Sequence, residues 1–92
     1  AVLDENQVII TGETSSASIT IEVPVNASVG SYNLPRNRYR ATYTDINGSE
    51  NAQVGNIIVI GNDEITRKLK GTFSFETENH TVSLGQFNVT YN

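Results

Sequence analysis

Apolar and polar residues alternate along most of the chain, which is the pattern of half-buried β-strands. The segment "QVIITG" predicts a first strand at about residues 7–12, and "SITIEV" predicts a second at about residues 18–23. In the second strand Ile19, Ile21 and Val23 share one face, because successive side chains of a strand point in opposite directions. No stretch has the 3.6-residue periodicity of a helix, so the chain is predicted to be all-β.

The middle of the chain predicts shorter extended pieces separated by turns. A proline-containing loop surrounds an extended piece at residues 32–34, and "RYRATYTD" then resumes alternation with Tyr39 and Tyr43 on the same face. Asn47-Gly48 is a favoured turn dipeptide, since both residues tolerate positive φ. The connection "DINGSENAQ" around it is predicted to be longer than a two-residue hairpin.

The segment "VGNIIVIG" has apolar residues on both faces, at positions 57–60. This pattern predicts a central strand that is covered on both sides. In total the chain predicts about seven short strands, separated by turn signals. A single antiparallel β-sandwich domain over residues 1–92 is the expected fold, with a small β-barrel as the alternative.

The last segment, "GTFSFETENHTVSLGQFNVTY", predicts a long hairpin whose alternation slips by one residue. A turn at its centre pairs Phe75 with Leu84, but the same register would then leave Phe73 without an apolar partner. One extra residue at Gly85-Gln86 sets Phe73 opposite Phe87 and restores the apolar face. A β-bulge at Gly85-Gln86 is therefore predicted, since a glycine there relaxes the backbone. The alternative is a strand that ends at Leu84 and restarts at Phe87.

Composition excludes several classes of protein. The 92 residues carry 6 Lys and Arg against 10 Asp and Glu, a net charge of −4, which argues against nucleic acid as a partner. There is no cysteine, and therefore no disulfide framework and no thiolate metal site. No apolar run approaches the roughly 18 residues of a transmembrane helix, and the first residues lack the features of a signal peptide.

Arginine and tyrosine residues around "RNRYR" form the candidate binding site. An extended chain would present three guanidinium groups on one face, and these could bind carboxylates or sulfates of an acidic polymer. Tyrosines at alternate positions, together with Tyr32, could form a platform for sugar rings. The alternative is a solvated strand face and a half-buried sheet face without a ligand. The predicted ligand-binding residues are Arg36, Arg38, Tyr39, Arg40 and Tyr43.

No other group of residues predicts catalysis. His80 is the single histidine, and at a hairpin tip without a nucleophile it is interpreted as a solvated turn residue. The acidic pairs Asp4-Glu5, Asp45 with Glu50, and Asp63-Glu64 fall in predicted turns. There they are expected to bond to nearby backbone N–H groups, with weak calcium binding as the alternative. We predict no catalytic residue, no metal site and no cofactor.

Three short motifs combine glycine with aromatic or apolar residues at fixed spacing. They are a G-x-Y-x-L element at Gly30, Tyr32 and Leu34, a G-T-F-S-F strand at Gly71, Thr72, Phe73, Ser74 and Phe75, and a G-x-F-x-V-x-Y strand at Gly85, Phe87, Val89 and Tyr91. These motifs resemble those of an uncharacterised family of exported, often lipid-anchored domains from Bacteroidetes, and the resemblance covers about two-thirds of the chain. It implies an extracytoplasmic domain, in the periplasm or at the cell surface, whose lipid anchor, if it has one, lies upstream of residue 1.

The expected function is that of a non-enzymatic binding or structural module. Its predicted partner is a glycan or another protein of the cell envelope, and the domain is expected to be monomeric. The alternative is a carrier of a small apolar ligand, in which a barrel encloses a pocket lined by Phe73, Phe75, Phe87 and isoleucine side chains.

Overall fold

The chain folds into two antiparallel sheets, as seen in a computed structural model that describes residues 1–13 and 15–91. The strands of these residues are β1 (Val2–Asp4), β2 (Gln7–Glu13), β3 (Ala17–Pro24), β4 (Gly30–Leu34), β5 (Arg40–Asp45), β6 (Gly48–Asn51), β7 (Val54–Asp63), β8 (Lys68–Glu76) and β9 (Thr81–Thr90). The first sheet has the order β1-β2-β3-β5-β6, and the second has the order β4-β7-β8-β9.

The two sheets enclose one apolar core, to which both contribute. The buried apolar side chains are Val8, Ile10, Ile21, Val23, Ala27, Leu34, Ala41, Ile57, Val59, Leu69, Phe75, Phe87 and Tyr91. Each sheet ends in edge strands, so the sheets form a sandwich and do not close on themselves. The predicted all-β sandwich is confirmed, and the alternative of a small barrel is wrong.

In the first sheet, the alternation of β2 and β3 gave the correct strands and faces. Ile21 and Val23 are buried and Ile19 is half-buried beside them. The short strands β1 and β6 were missed, because three or four residues are too few to show an alternation. Asp45 pairs with Gly48, so the connection at Asn47 is a two-residue turn and the longer loop predicted there is wrong.

In the second sheet, β7 is an inner strand as predicted, but only one of its faces is covered. Ile57 and Val59 are fully buried, whereas Ile58 is 36% and Ile60 50% exposed. The prediction of cover on both sides is wrong, because nothing among the described residues packs over the outer face of this sheet. An extra residue in the β7–β8 ladder, between Val59 and Gly61, was not predicted.

The bulge in the last hairpin is confirmed, but it lies two residues earlier than predicted. Phe75 pairs with Val82 and Phe73 pairs with Gly85, so Ser83 and Leu84 together oppose a single residue of β8. Leu84 has a φ of 58°. Phe73 therefore does not face Phe87, which instead faces Gly71. The glycine at 85 serves a different purpose from the predicted one: a Cβ there would collide with the Phe73 ring.

Candidate functional site

Tyr32, Arg36 and Tyr39 form a compact group, the Tyr–Arg cluster, beside one end of the sandwich. The rings of Tyr32 and Tyr39 stack with their centroids 4.2 Å apart and their planes at 16°. The guanidinium carbon of Arg36 lies 5.4 Å from the Tyr32 centroid and 5.7 Å from the Tyr39 centroid. These distances allow a cation–π attraction to both rings, which restrains an otherwise flexible side chain.

A tight turn brings Arg36 and Tyr39 together. The N–H of Tyr39 donates to the carbonyl of Arg36 at 3.1 Å, and Arg38 between them has a φ of 71°. Strand β5 begins only at Arg40. The predicted extended conformation of "RNRYR" is therefore wrong, because a chain that reverses at residues 36–39 loses the two-residue period that would align its side chains.

The side chains of the three arginines have three different sets of partners, although Arg38 and Arg40 each line a cleft that Arg36 also lines. Arg38 Nε donates to Gln7 Oε1 at 3.2 Å, and Gln7 Nε2 donates to the Arg38 carbonyl at 2.7 Å. Arg40 lies 3.8 Å from a carboxylate oxygen of Glu22. The predicted set of three arginines on one face is therefore wrong, and Arg36 alone belongs to the cluster with Tyr39.

The loop at residues 25–29 supports the cluster from the other side. The Tyr32 hydroxyl donates to the Ser28 carbonyl at 2.6 Å. Asn62, from the end of β7, donates through Nδ2 to the Val25 and Ala27 carbonyls at 3.0 and 2.9 Å. Tyr32 is thus hydrogen-bonded to a loop that is itself anchored to the second sheet through Asn62.

Two open clefts adjoin the cluster and share Arg36, Asn37 and Tyr39 in their walls. One has a volume of about 570 Å³ and extends along the loop that carries Asn26 and Ser28. The other, about 390 Å³, extends toward Asn51. Volumes of this size accommodate one or two sugar rings, and the amide groups of the walls can bond to hydroxyls.

The cluster carries a positive charge at neutral pH. Burial, with the neighbouring Tyr32 hydroxyl, raises the pKa of Tyr39 to about 12, so its phenol stays neutral. Among the described residues, Arg36 has no carboxylate within ion-pairing distance. Its charge is therefore available to an anionic ligand.

Tyr43, the fifth predicted residue, lies in a second group formed with His80. The two rings stack with centroids 3.9 Å apart. His80 Nδ1 lies 3.0 Å from Glu50 Oε1, and Nε2 lies 3.6 Å from Asp45 Oδ2. An ionised carboxylate only accepts, so Nδ1 donates to Glu50. His80 is therefore half-buried between two hairpins, and its interpretation as a solvated turn residue is wrong.

The sequence model of one protein family, described as Domain of unknown function (DUF6252), matches residues 1–91. The chain belongs to this family. No curated protein and no solved structure matches it. The resemblance to an uncharacterised domain family is therefore confirmed, while the family description assigns no ligand to either group of residues.

Two aspartates of the DUF6252 chain accept hydrogen bonds from nearby backbone N–H groups. Asp45 Oδ1 accepts from the Asn47 N–H at 2.8 Å, and Asp63 Oδ1 accepts from the Ile65 N–H at 3.0 Å, as predicted for turn residues. Within residues 1–13 and 15–91, no three His, Asp or Glu side chains are arranged to hold a metal ion. The same residues contain no helix that is long and apolar enough to cross a membrane.

Glu50 connects the β5–β6 hairpin to the turn between β8 and β9. Its carboxylate accepts from the Thr77 hydroxyl at 2.6 Å, from Asn79 Nδ2 at 2.5 Å and from His80. These donors, Thr77 first, lower the pKa of Glu50 to about 2 from 4.5. No local pattern signals this contact, because Glu50 and His80 are 30 residues apart in the sequence.

This lowered pKa predicts a loss of stability in acid. The unfolded chain binds the Glu50 proton near pH 4.5 and the folded chain only near pH 2, so the ionised group stabilises the fold above pH 4.5 and ceases to do so as the pH falls toward 2. We expect Glu50→Gln to lower the free energy of unfolding above pH 4.5, with the difference from the wild type shrinking between 4.5 and 2. Urea unfolding at a series of pH values measures this difference in the free energy of unfolding.

The control for that series is Glu78→Gln, which removes a negative charge from the same turn but none of these hydrogen bonds. A difference between wild type and Glu50→Gln that stays constant from pH 7 to 2 would contradict the assignment.

Proposed function

We propose that the domain is a non-enzymatic binding module of the bacterial cell envelope that binds an acidic glycan at the Tyr–Arg cluster. The observation that carries the proposal is Arg36, which is held against the stacked rings of Tyr32 and Tyr39 without a carboxylate partner among the described residues. A restrained, unpaired guanidinium is suited to bind a carboxylate or sulfate through two parallel hydrogen bonds.

The surroundings of Arg36 support a sugar as the carrier of that anion. The adjoining clefts are shallow and bordered by Asn26, Asn37 and Asn51, whose amides can both donate to and accept from hydroxyl groups. The tyrosine ring edges offer an apolar surface next to these amides. The cluster contains no carboxylate and no histidine, and its Tyr39 phenol stays neutral, so we assign it a role in binding without a chemical step.

The proposed location follows from the resemblance to exported, often lipid-anchored domains. A module of this kind acts as a monomer outside the cytoplasm, where acidic polysaccharides occur, and an anchor upstream of residue 1 would hold it at the membrane. A barrel-type carrier is not proposed, because the two sheets do not close into a barrel and Phe75 is buried between them.

Titration with two acidic oligosaccharides, one carboxylated (oligogalacturonate) and one sulfated (heparin-derived), tests the proposal by calorimetry or NMR. We expect Arg36→Ala to weaken binding by about 10- to 100-fold, the equivalent of the roughly 1.5–3 kcal/mol that a hydrogen bond to a charged group contributes. Arg36→Lys keeps the charge but lacks the planar guanidinium, which makes two parallel hydrogen bonds. Its affinity should therefore lie between those of Arg36→Ala and the wild type.

Arg67→Ala is the matched control, since it removes the same charge from the exposed turn between β7 and β8 and should leave binding unchanged. Neutral maltohexaose should not bind. Equal affinity for maltohexaose and the acidic sugars, or equal losses in Arg36→Ala and Arg67→Ala, would overturn the proposal.

A further inference from the structure

Two sheet edges are unpaired on the same side of the sandwich, away from the Tyr–Arg cluster. β1 pairs only with residues 7–9 of β2, so residues 10–13 have no partner on that side among the described strands. β9 is the last strand of the second sheet and pairs only with β8. Beyond its bulge, residues 85–90 continue as a regular strand. Both edges therefore present main-chain N–H and C=O groups to solvent.

An apolar cleft of about 650 Å³ lies between these two edges. Its walls come from both sheets, with Ile10 and Ile19 on one side and Phe73, Phe87 and Val89 on the other. Its volume falls within the range of natural binding sites. The sandwich is thus open at the place where one more strand would close it.

Gly12 contributes to the space. It lies opposite Ile19, at the inward position that follows Val8 and Ile10 on β2, where alternation would place another apolar side chain. A Cβ added at Gly12 would meet no atom within 4 Å. The chain therefore leaves a side-chain-sized gap at the end of β2.

The charges around the cleft favour a partner that is apolar with one basic residue. Residues 81–91 carry no charge and no proline, and proline and lysine are the residues that commonly protect an edge strand from pairing. Glu13 is the charged residue in the wall of the cleft, and it has no ion-pair partner among the described residues. A Lys or Arg at one end of the incoming segment would complement it.

We infer that an extended strand of another polypeptide docks in this cleft. It hydrogen-bonds to the free edge of β9 over residues 85–90, about 20 Å at the rise of a strand, and its alternate apolar side chains fill the space beside Gly12. A second copy of the chain fits less well: in a β9–β9 pair the apolar side chains of each strand, such as Phe87, remain in their own core and leave both clefts empty.

The probe is a synthetic seven-residue peptide, lysine followed by three Val-Thr repeats, whose valines share one face when extended. Its control has the same side chains but N-methylated backbone amides on the β9-facing edge, which removes the main-chain hydrogen bonds. We expect the first peptide to bind, to slow amide hydrogen exchange at residues 85–90, and to bind at least about tenfold more tightly than the methylated one, a difference of about 1.4 kcal/mol.

Variants of the protein test the position of the strand. Gly12→Val should occupy the part of the cleft beside β2 and weaken peptide binding at least about tenfold while the protein stays folded, because Gly12 has space around it and its φ lies outside the left-handed region. Gly61→Val is the control, since a Cβ at Gly61 also meets nothing within 4 Å but lies on β7, outside the cleft. Glu13→Gln should weaken the lysine peptide several-fold and leave a serine-led peptide unchanged.

Several results would overturn the inference. If the lysine peptide failed to bind the wild type at millimolar concentration, or bound Gly12→Val as tightly as the wild type, no strand would dock in the cleft. Equal binding of the methylated peptide would show a site for small apolar molecules. Concentration-dependent dimers with slowed exchange at residues 85–90, in the absence of peptide, would show that a second copy occupies the edge.

Discussion

Gly71→Ala is expected to lower the free energy of unfolding by about 3 kcal/mol, the upper part of the range for overpacked cores. Gly71 is buried on β8, with the β7 backbone on one side and the Phe87 ring on the other. An added Cβ would lie 2.5 Å from Phe87 Cζ and would also collide with the Ile58 carbonyl oxygen. The strand cannot retreat from one contact without entering the other.

Gly61→Ala is the matched control, since Gly61 is also in the second sheet and its added Cβ would meet nothing within 4 Å. We expect its free energy of unfolding to stay within about 1 kcal/mol of the wild type. Urea unfolding measures both variants. If Gly71→Ala lowered the free energy of unfolding as little as Gly61→Ala, the Phe87 ring would be shown to tolerate a side chain at position 71.

A double mutant separates the two collisions at Gly71. Phe87→Leu shortens the side chain above Gly71 but leaves the Ile58 carbonyl in place. In the Gly71→Ala background we therefore expect Phe87→Leu to be less destabilising than in the wild type, with a coupling of about 0.5–3 kcal/mol between neighbouring sites. We do not expect the stability to recover completely, because the collision with the Ile58 carbonyl oxygen remains.

The faces of the strands could be predicted from the sequence because burial repeats with the two-residue period of the backbone. Ile19, Ile21 and Val23 lie where alternation places them. The outer face of β7 could not be predicted, since Ile58 and Ile60 are as apolar as their buried neighbours. Buried positions are mostly apolar, but an apolar residue is not always buried, because an exposed isoleucine on a sheet face is tolerated.

The bulge shows a different limit. The slip in alternation correctly predicts one extra residue, but the bulge does not lie at the nearest glycine. In the structure Leu84 adopts the positive φ, while Gly85 leaves room for the Phe73 ring. A glycine can allow a positive φ or can allow a neighbouring side chain to pack closely against the backbone, and the sequence does not distinguish the two.

The candidate site depended on a turn that has no strong sequence signal. The positive φ at Arg38 falls on a residue type that rarely adopts it, so the alternation of "RNRYR" predicts an extended chain instead of a turn. In the structure Arg36 and Tyr39 lie together and Arg40 lines the cleft beside them, whereas Tyr43 lies apart in the group with His80. The contact of Glu50 with His80 arises only when two distant hairpins meet at one end of the sandwich.

Deletion of Leu84 is expected to leave the hairpin folded, whereas deletion of Asn88 is expected to unfold the domain. Without Leu84, Ser83 falls opposite Ser74 and every other β8–β9 pair, including Phe73 with Gly85, is kept. Leu84 is 93% exposed and has a φ of 58°, so its removal loses little burial and relieves a strained residue. We expect the free energy of unfolding to stay within about 1 kcal/mol of the wild type.

Deletion of Asn88 cannot be absorbed in the same way. If the bulge is kept, Val89 and Tyr91 turn to the outer face, and the loss of two apolar side chains from the core costs roughly 3–6 kcal/mol. If the bulge closes instead, Phe87 turns outward and Gln86 faces Gly71. The first loss reaches the lower part of the roughly 5–15 kcal/mol that stabilises a small domain, and the second exposes an aromatic side chain and turns a polar one toward the core. Circular dichroism and urea unfolding distinguish the two deletions, and equal stability would contradict the register of β9.

A folded Leu84 deletion would also show what the bulge contributes. The wild-type edge of β9 is interrupted at residues 83–84, so a neighbouring strand can pair regularly only with the residues on one side of the bulge. Removing Leu84 joins the two parts into one uncharged edge that spans the whole strand. We therefore expect the deletion variant to self-associate more strongly than the wild type in sedimentation experiments, because long unprotected edges pair with one another. Equal sedimentation of the two proteins would mean that the bulge does not limit pairing at this edge.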